Sequence, residues 1–272
     1  MKERKKVGLA LGSGGARGFS HLGVLQVLEE NNIPIDMIAG CSIGAIAGAI
    51  YSVGTDLRLL SKFIAAMDAK SFMDITLPTQ GGILQGNRFE EVVRILTHDK
   101  SFSETRIPFF CTATDLESGT LTVFFEGKLH RAVRASMCVP GVFVPVEING
   151  KLYADGGILE TVPATVLRQQ GMDIVIGVDL SDKRNRLHEG GKVNAYHTLM
   201  RTFDIMQAEI SRLKKPNVDV LIKPSAAFMS MLSNVGTDAC VEEGRRAAQE
   251  ALPMIMDLVQ GQIEGATVPE LA

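Results

Sequence analysis

The amino-acid sequence predicts an α/β protein, with one three-layer α/β/α domain built around a mainly parallel central sheet. Short apolar runs of strand length recur along the chain and end in glycine-rich or polar turns, as buried parallel strands do. Segments with a helical spacing of apolar residues lie between these runs, and the connections are short. Because there is no internal repeat and no long linker, residues 1–272 are expected to form a single domain.

The predicted strands are short runs in which apolar residues predominate. Val7–Leu11 is apolar throughout and ends at a glycine-rich loop. Leu121–Phe125 alternates after the Ser118–Gly119 turn, as a strand pairing back on its predecessor would. The full set of predicted strands is Val7–Leu11, Ile35–Gly40, Phe109–Ala113, Leu121–Phe125, Lys151–Ala154, Ile174–Leu180 and Val218–Lys223.

The predicted helices lie between the strands and are marked by spacing or by composition. The first carries Leu22, Leu25 and Leu28 on one face and ends at two asparagines followed by Pro34. The helix after the second strand consists largely of small residues, which suits a buried position. The predicted helices are His21–Asn31, Ile43–Val53, Leu57–Met67, Phe89–Leu96, Leu129–Ser136 and Val241–Val259, and the polar run Arg184–Lys192 is predicted to be a loop.

Composition and charge exclude several classes of protein. With 46% hydrophobic and 22% charged residues, the chain can bury a substantial core and is not expected to be disordered. The net charge of −3 offers no basic surface for nucleic acid. The four cysteines form no CxxC pair and no zinc-like spacing, so no metal or cofactor is predicted, and buried, reduced thiols are expected at Cys41 and Cys111. Since the sequence opens without a secretory signal pattern, a cytoplasmic location is expected.

One uncharged stretch has two interpretations. Met37–Thr55 carries Gly40, Gly44 and Gly48 at the spacing of a helix-dimer motif in membranes. Its small residues transfer weakly into lipid, however, and the run is better divided into a strand ending at Gly40 and a small-residue helix. We therefore expect a strand and a helix rather than a membrane span.

The first candidate chemical motif is Gly40-Cys41-Ser42-Ile43-Gly44. An apolar strand enters this GxSxG and a helix leaves it, which is the setting of a nucleophile elbow. Gly40 and Gly44 leave room for the strained turn that exposes the serine. The start of the helix also places partial positive charge beside a developing oxyanion. Ser42 is the candidate nucleophile, and the alternative is a tight packing turn without chemistry.

The second motif is the glycine-rich loop of residues 12–18, between the first strand and the first helix. Such a loop can direct several backbone N–H groups at one anion, either a dinucleotide pyrophosphate or the oxyanion of acyl transfer. Gly12, Gly14 and Gly18 satisfy a GxGxxxG spacing, but Arg17 occupies the third glycine position of the strict fingerprint. The next strand also ends at Ser42, where a dinucleotide site needs a carboxylate. The oxyanion role is therefore favoured.

The third motif is Asp155-Gly156-Gly157, which follows a short strand. An aspartate before two glycines is usually a turn residue, but the serine needs a base. The histidines, His21, His98, His130, His188 and His197, have unconvincing settings and are expected at the surface, at helix starts or in loops. Among them His21 deserves most consideration because it is close in sequence to the glycine-rich loop.

The order of these motifs, GSGGARG then GCSIG then DGG, resembles the patatin-like phospholipase family. The match runs from Val7 to about Pro163, and segments between 172 and 260 are expected to complete the same domain. The resemblance implies Ser42 as nucleophile and Asp155 as the other half of a Ser–Asp dyad. It further implies an oxyanion loop formed by residues Gly12, Gly14, Gly15 and Arg17.

The activity implied by this resemblance is that of a serine lipid acyl hydrolase acting on phospholipid, lysophospholipid or related esters, without a cofactor, with transient contact at a membrane surface. A non-catalytic lipid-sensing module of the same fold is the alternative. Phe228, Met229, Met231 and Leu232 are interpreted either as an acyl channel or as core packing. Glu160 departs from the family pattern, since many relatives carry asparagine there, and could change the hydrogen bonding behind Asp155.

Overall fold

The computed structural model describes residues 4–57, 60, 74–76, 81–181, 195–225 and 236–261. Within these residues the chain alternates between strands and helices over most of its length. The strands are β1 (Val7–Leu11), β2 (Met37–Cys41), β3 (Gly82–Leu84), β4 (Phe109–Asp115), β5 (Leu121–Phe124), β6 (Gly141–Phe143), β7 (Val146–Ile148), β8 (Lys151–Asp155), β9 (Ile174–Val178) and β10 (Val220–Ile222).

The helices of the described residues lie between these strands and after the last one. They are α1 (Phe19–Glu30), α2 (Ile43–Ser52), α3 (Asn87–Leu96), α4 (Leu129–Ser136), α5 (Ala164–Gln169), α6 (Ala195–Lys214) and α7 (Thr237–Val259). Short 3-10 turns cover Gly15–Gly18, Phe102–Glu104 and Gly156–Ile158.

In the described part of the chain, the central sheet has eight strands in the order β10-β9-β1-β2-β4-β8-β7, with β5 paired to β4. From β10 through β4 every neighbouring pair is parallel, whereas β5, β8 and β7 join antiparallel. β3 and β6 form a separate two-stranded parallel sheet. The mainly parallel sheet predicted from the sequence is confirmed, and its antiparallel margin is a feature that the apolar runs did not predict.

Side chains alternate between two apolar layers on the faces of the sheet. Leu9 and Leu11 belong to the larger core, which residues of α1, α2 and α7 cover. Ala10 points to the opposite face and packs in a smaller cluster with Val166 and Leu167 of α5. This period-2 alternation within fully buried strands explains why each run is apolar throughout. Helices on both faces give the predicted three-layer arrangement.

The register of the sheet decides where the candidate site residues meet. Cys41 at the end of β2 pairs with Thr112 of β4, and the next residue of β4, Ala113, pairs with Asp155 of β8. Ser42 follows Cys41 directly, so it lies in the same cross-strand row as Asp155. β8 runs antiparallel to β4 and ends at Asp155, so its last residue lies opposite Ala113 in this row.

Several predictions of the elements need correction. β9 and β10 are shorter than predicted, and α1 and α7 begin earlier in the chain. The short strands β3, β6 and β7 and the helices α5 and α6 were not predicted. His197, which was expected in or near a polar loop, lies within α6.

Some predictions fall where the structure gives no description. Most of the predicted helix at 57–67, the loop at 184–192 and the apolar cluster at 228–232 lie outside the described residues. The assignment of residues 1–272 to one domain stays a prediction.

The uncharged stretch from Met37 to Thr55 folds as β2 followed by α2 and a turn, as the favoured interpretation predicted. Among the described helices, none combines the length and apolar character needed to cross a bilayer.

Candidate active site

Ser42 occupies a sharp turn between β2 and α2. Its backbone has φ 56° and ψ −123°, a conformation that costs a non-glycine residue on the order of 1–3 kcal/mol. A Cβ at Gly40 would lie 2.5 Å from the Cα of Ala45, and one at Gly44 would collide with the carbonyl oxygen of Leu11. Both flanking positions therefore exclude side chains, which gives the glycines of the GxSxG motif a steric reason.

The hydroxyl of Ser42 is joined to the carboxyl group of Asp155. Ser42 Oγ donates to Asp155 Oδ2 at 2.6 Å, and the amide of Gly157 donates to Asp155 Oδ1 at 2.8 Å. Asp155 is fully buried and Ser42 is 7% exposed. An oxygen nucleophile thus lies within hydrogen-bond reach of a carboxylate in a site with little access for bulk water, a geometry suited to proton transfer.

Burial changes the acidity of Asp155. Loss of hydration raises its pKa from the ordinary 3.8 to about 7, although the hydrogen bonds from Ser42 and Gly157 oppose the increase. Such a carboxylate is a far stronger base than an exposed aspartate and can be ionised at neutral pH.

The end of α4 and the residues that follow it hold both members of this pair. Ser136 Oγ, which is fully buried, accepts a hydrogen bond from the amide of Ser42 at 2.8 Å. Two residues later, the carbonyl of Cys138 accepts from the amide of Asp155 at 2.8 Å. Thr114 Oγ1 donates to the carbonyl of Asp155 at 3.0 Å. The sequence did not predict these contacts, because a serine or threonine in an apolar segment carries no signal for a distant backbone partner.

The glycine-rich loop packs directly beside the turn that carries Ser42. A Cβ at Gly18 would collide with Ile43, the residue after Ser42. Within the loop, the amide of Gly12 donates to Val178 O at 3.0 Å and the amide of Ser13 donates to Thr161 O at 2.8 Å. The amide of Gly12 is therefore bonded to β9 and does not point to an oxyanion as a free donor. This bond instead holds the loop close to β9.

Gly14 and Gly15 begin the 3-10 turn of the loop. The first amides of any helical turn lack an acceptor within the turn, and those of α2 after Ser42 are in the same situation. The turn that holds the first set packs against Ile43, at the start of α2. Such an arrangement can stabilise an oxyanion, since partial positive charge collects at both helix starts.

Arg17 braces this loop from inside the protein. It is 5% exposed, its Nε donates to the carbonyl of Gly14 at 3.0 Å, and its Nη2 pairs with Asp204 Oδ1 of α6 at 2.8 Å. The guanidinium therefore connects the loop to α6. Since its guanidinium is buried and engaged at both ends, Arg17 serves to hold the loop in place.

His21 supports the same loop, and the expectation of a surface or simple helix-start residue is wrong for it. The side chain is fully buried, and its Nε2 lies 2.8 Å from the carbonyl of Gly12. Burial lowers the pKa of His21 to about 4, so the ring is neutral at pH 7. Because a carbonyl can only accept, Nε2 carries the proton. The imidazole thus acts on the loop, while the hydroxyl of Ser42 bonds to Asp155.

Glu160 and the four cysteines have contacts of their own. Glu160 Oε1 accepts from the amide of Thr165 at 3.2 Å, so its carboxylate meets the start of α5. All four cysteines are free and buried, as expected for Cys41 and Cys111. Within the described part of the chain, no three His, Cys, Asp or Glu side chains are grouped so that they could hold a metal ion.

Comparisons with known proteins identify related sequences. The model of the patatin-like phospholipase family matches residues 9–168. An uncharacterised NTE family protein of Mycobacterium tuberculosis is 36% identical over 178 residues, covering 65% of this chain and 49% of that protein. Lysophospholipase NTE1 of Candida glabrata is 31% identical over 253 residues, covering 88% of this chain and 14% of that protein. The chain thus spans about half the length of the mycobacterial relative and a smaller part of the yeast one.

Two solved structures share the fold. VipD from Legionella pneumophila aligns with a TM-score of 0.55 and 14% identity, covering 93% of this chain and 67% of VipD. The type III effector protein ExoU aligns with a TM-score of 0.52 and 12% identity, covering 93% of this chain and 53% of ExoU. At these identities the likeness concerns the fold alone.

Proposed function

Because the chain belongs to the patatin-like phospholipase family, we propose that it is a serine lipid acyl hydrolase that uses Ser42 as nucleophile and Asp155 as base. The observation that carries the proposal is the 2.6 Å hydrogen bond from Ser42 Oγ to the buried carboxyl group of Asp155. A serine in a strained turn and a buried carboxylate of raised pKa both cost stability. A lipid-sensing module without catalytic activity would have no use for this pair.

The first half of the proposed reaction forms an acyl-enzyme. Ser42 Oγ attacks the ester carbonyl carbon as its proton passes to Asp155 Oδ2, and the carbonyl oxygen becomes an oxyanion. The amides of Gly14 and Gly15 and those at the start of α2 are the proposed donors to that oxyanion, with Gly12 and Arg17 shaping the loop. The tetrahedral intermediate then collapses, and the departing alkoxide takes the proton from Asp155.

The second half releases the acid. Water attacks the carbonyl carbon of the acyl-enzyme while Asp155 takes one of its protons. The new oxyanion is held by the same backbone donors, and the intermediate collapses when Ser42 Oγ leaves and recovers the proton. The cycle needs neither a metal ion nor a cofactor, because the protein supplies the nucleophile, the base and the oxyanion donors.

The substrate class is proposed from the site and from the relatives together. Esters suit a site with one carboxyl group better than amides, because an alkoxide leaves with less help from an acid. Similarity to lysophospholipase NTE1 supports a phospholipid, a lysophospholipid or a related acyl ester. We propose a cytoplasmic protein that meets its lipid transiently at a membrane surface.

A fluorophosphonate probe tests the proposal directly. The intact chain is expected to react, because the probe requires an activated serine, and mass spectrometry should place the adduct on the peptide that contains Ser42. Denatured protein, in which the pair with Asp155 is absent, is the control and should not react. A folded chain that resists the probe and turns over no short-chain ester would instead favour the lipid-sensing alternative.

The rate of ester hydrolysis is expected to depend on pH through Asp155. The carboxylate form accepts the proton, so kcat/KM should fall about tenfold per pH unit below the raised pKa of about 7 and level off above it. Measuring p-nitrophenyl butyrate hydrolysis between pH 5 and 9 checks this, with the folded state verified at each pH. A profile that stays flat well below pH 6 would contradict the role of Asp155.

A further inference from the structure

Helix α6 turns a polar face toward the candidate site. Residues Asp204, Gln207, Ser211 and Lys214 follow the spacing of one helical face. Asp204 pairs with Arg17 of the glycine-rich loop, Ser211 Oγ donates to Asp179 Oδ2 at 2.9 Å, and Lys214 Nζ donates to the carbonyl of Leu159 at 2.9 Å. Three members of this face thus have partners around the site, and α6 lies outside the residues that the family model matches.

The fourth member, Gln207, has an unpaired amide beside Asp155. The side chain is 4% exposed, and its Nε2 is buried without a hydrogen-bond acceptor among the described residues. A Cβ at Gly157 would collide with this nitrogen and would lie 3.0 Å from Asp155 Oδ1. The amide and the carboxylate therefore face the same small region next to Gly157. An unsatisfied buried donor costs free energy, so its presence at this point needs an explanation.

The proposed reaction changes the hydrogen bonding of Asp155 between its two halves. In the free protein the carboxyl group accepts from Ser42 Oγ and from the amide of Gly157. Once Ser42 carries an acyl group its oxygen has no proton to donate, which leaves the carboxylate with Gly157 alone. A buried carboxylate that has lost a donor is strongly destabilised, and a nearby amide nitrogen can replace that donor.

Among the described residues, the titratable side chains on which the charge of Asp155 acts are the thiols of Cys41, Cys111 and Cys138. Burial raises the pKa of each thiol, so all three are neutral. From α6, Asp204 is paired with Arg17. Among these neighbours, the amide of Gln207 is the donor without an acceptor.

We propose that Gln207 is a positioning residue that donates a hydrogen bond to the carboxylate of Asp155 in the acyl-enzyme and holds it ready to activate water. This inference rests on the proposed Ser–Asp hydrolysis. It predicts a selective effect: acylation starts with Asp155 already bonded to Ser42 and depends little on Gln207, whereas deacylation depends on it strongly.

Stopped-flow hydrolysis of p-nitrophenyl butyrate separates the two steps, because the burst reports acylation and the later steady rate reports deacylation. For Gln207→Leu we expect deacylation to slow about tenfold, the scale of one hydrogen bond to a charged group, with acylation within about twofold of the intact chain. The thermal midpoint should be unchanged or higher, since an unpaired buried donor is removed. Gln207→Glu, which places an acceptor and a like charge beside Asp155, should slow deacylation further.

Ser211→Ala is the matched control on the same helix face. It removes the bond to Asp179 and should lower the thermal midpoint without a selective loss of deacylation. The role of Gln207 would be overturned if Gln207→Leu slowed both steps equally and lowered the thermal midpoint, or if it slowed neither step. The proposed Ser–Asp hydrolysis would stand in both cases. An intact chain that shows neither a burst nor turnover would overturn the proposed hydrolysis, and this inference with it.

Discussion

Replacing Ser42 by alanine is expected to reduce ester turnover by on the order of 10⁴-fold or more, because the covalent pathway disappears with Oγ. The backbone donors around the site remain and can support only the residual reaction with water. Steady-state hydrolysis of p-nitrophenyl butyrate measures the loss, and labelling by the fluorophosphonate probe should vanish in parallel. The fold should persist, since burial favours the protonated form of Asp155 once the bond from Ser42 is gone.

Ser52→Ala is the appropriate control for this variant. Ser42 precedes α2, whereas Ser52 is the last residue of that helix. The side chain of Ser52 is fully buried, and its hydroxyl donates to the carbonyl of Ala49. Its loss should cost about 1 kcal/mol of stability and leave turnover near that of the intact chain. If folded Ser42→Ala protein kept most of its activity, the nucleophile would have to be another residue.

Asp155→Asn is expected to reduce turnover by about 10⁴-fold while preserving the shape of the site. The amide oxygen can still accept a hydrogen bond from Ser42, but it cannot take the proton. The pH dependence attributed to Asp155 should therefore disappear from the residual activity. A full pH–rate profile of the variant beside the intact chain measures both effects.

The same substitution is expected to change the pH dependence of stability. Because the pKa of Asp155 is raised to about 7 in the fold, the unfolded chain loses this proton at lower pH than the folded one. The carboxyl group therefore destabilises the fold increasingly as pH rises from about 4 to about 7. Asp155→Asn removes this effect. The free energy of unfolding of the variant relative to the intact chain, measured in urea, should therefore be more favourable to the variant at pH 8 than at pH 5.

Asp115→Asn is the control, because it removes a buried carboxylate from the adjoining strand β4. Asp115 is 2% exposed, pairs with Tyr153 across the β4–β8 register and forms an ion pair with Lys151 at 3.0 Å. Its loss is expected to lower stability but to leave turnover, and the fall of kcat/KM at low pH, unchanged. Full activity in Asp155→Asn would contradict the dyad, whatever the control shows.

The patatin-like α/β fold expected from the motifs is confirmed. It was predictable because those motifs are local in sequence. A strand, a turn with two glycines and a helix define the setting of Ser42 without reference to distant residues. The buried parallel strands were predictable for a similar reason, since apolar side chains on both faces leave an uninterrupted apolar run.

Elements whose sequence lacks such a signal were missed. β3, β6 and β7 have three residues each, too few for any period to emerge. α6 has its polar side chains Asp204, Gln207 and Ser211 turned toward the site, while Leu199, Ile205, Met206 and Leu213 are at least 39% exposed. Polar side chains thus share the buried face with Met200 and Ala208, so the apolar stripe that identifies surface helices is interrupted in this one.

By itself, the sequence determined the chemistry available to this protein: a serine in a turn that only small neighbours permit, a glycine-rich loop and an aspartate before two glycines. Only the tertiary structure decided how these residues meet. The antiparallel direction and register of β8 bring Asp155 into the row of Ser42, and contacts from α4 and α6 hold the pair and its loops. The physical reason is that a backbone turn is governed by its own residues, whereas strand direction, register and burial of a charge depend on everything packed around them.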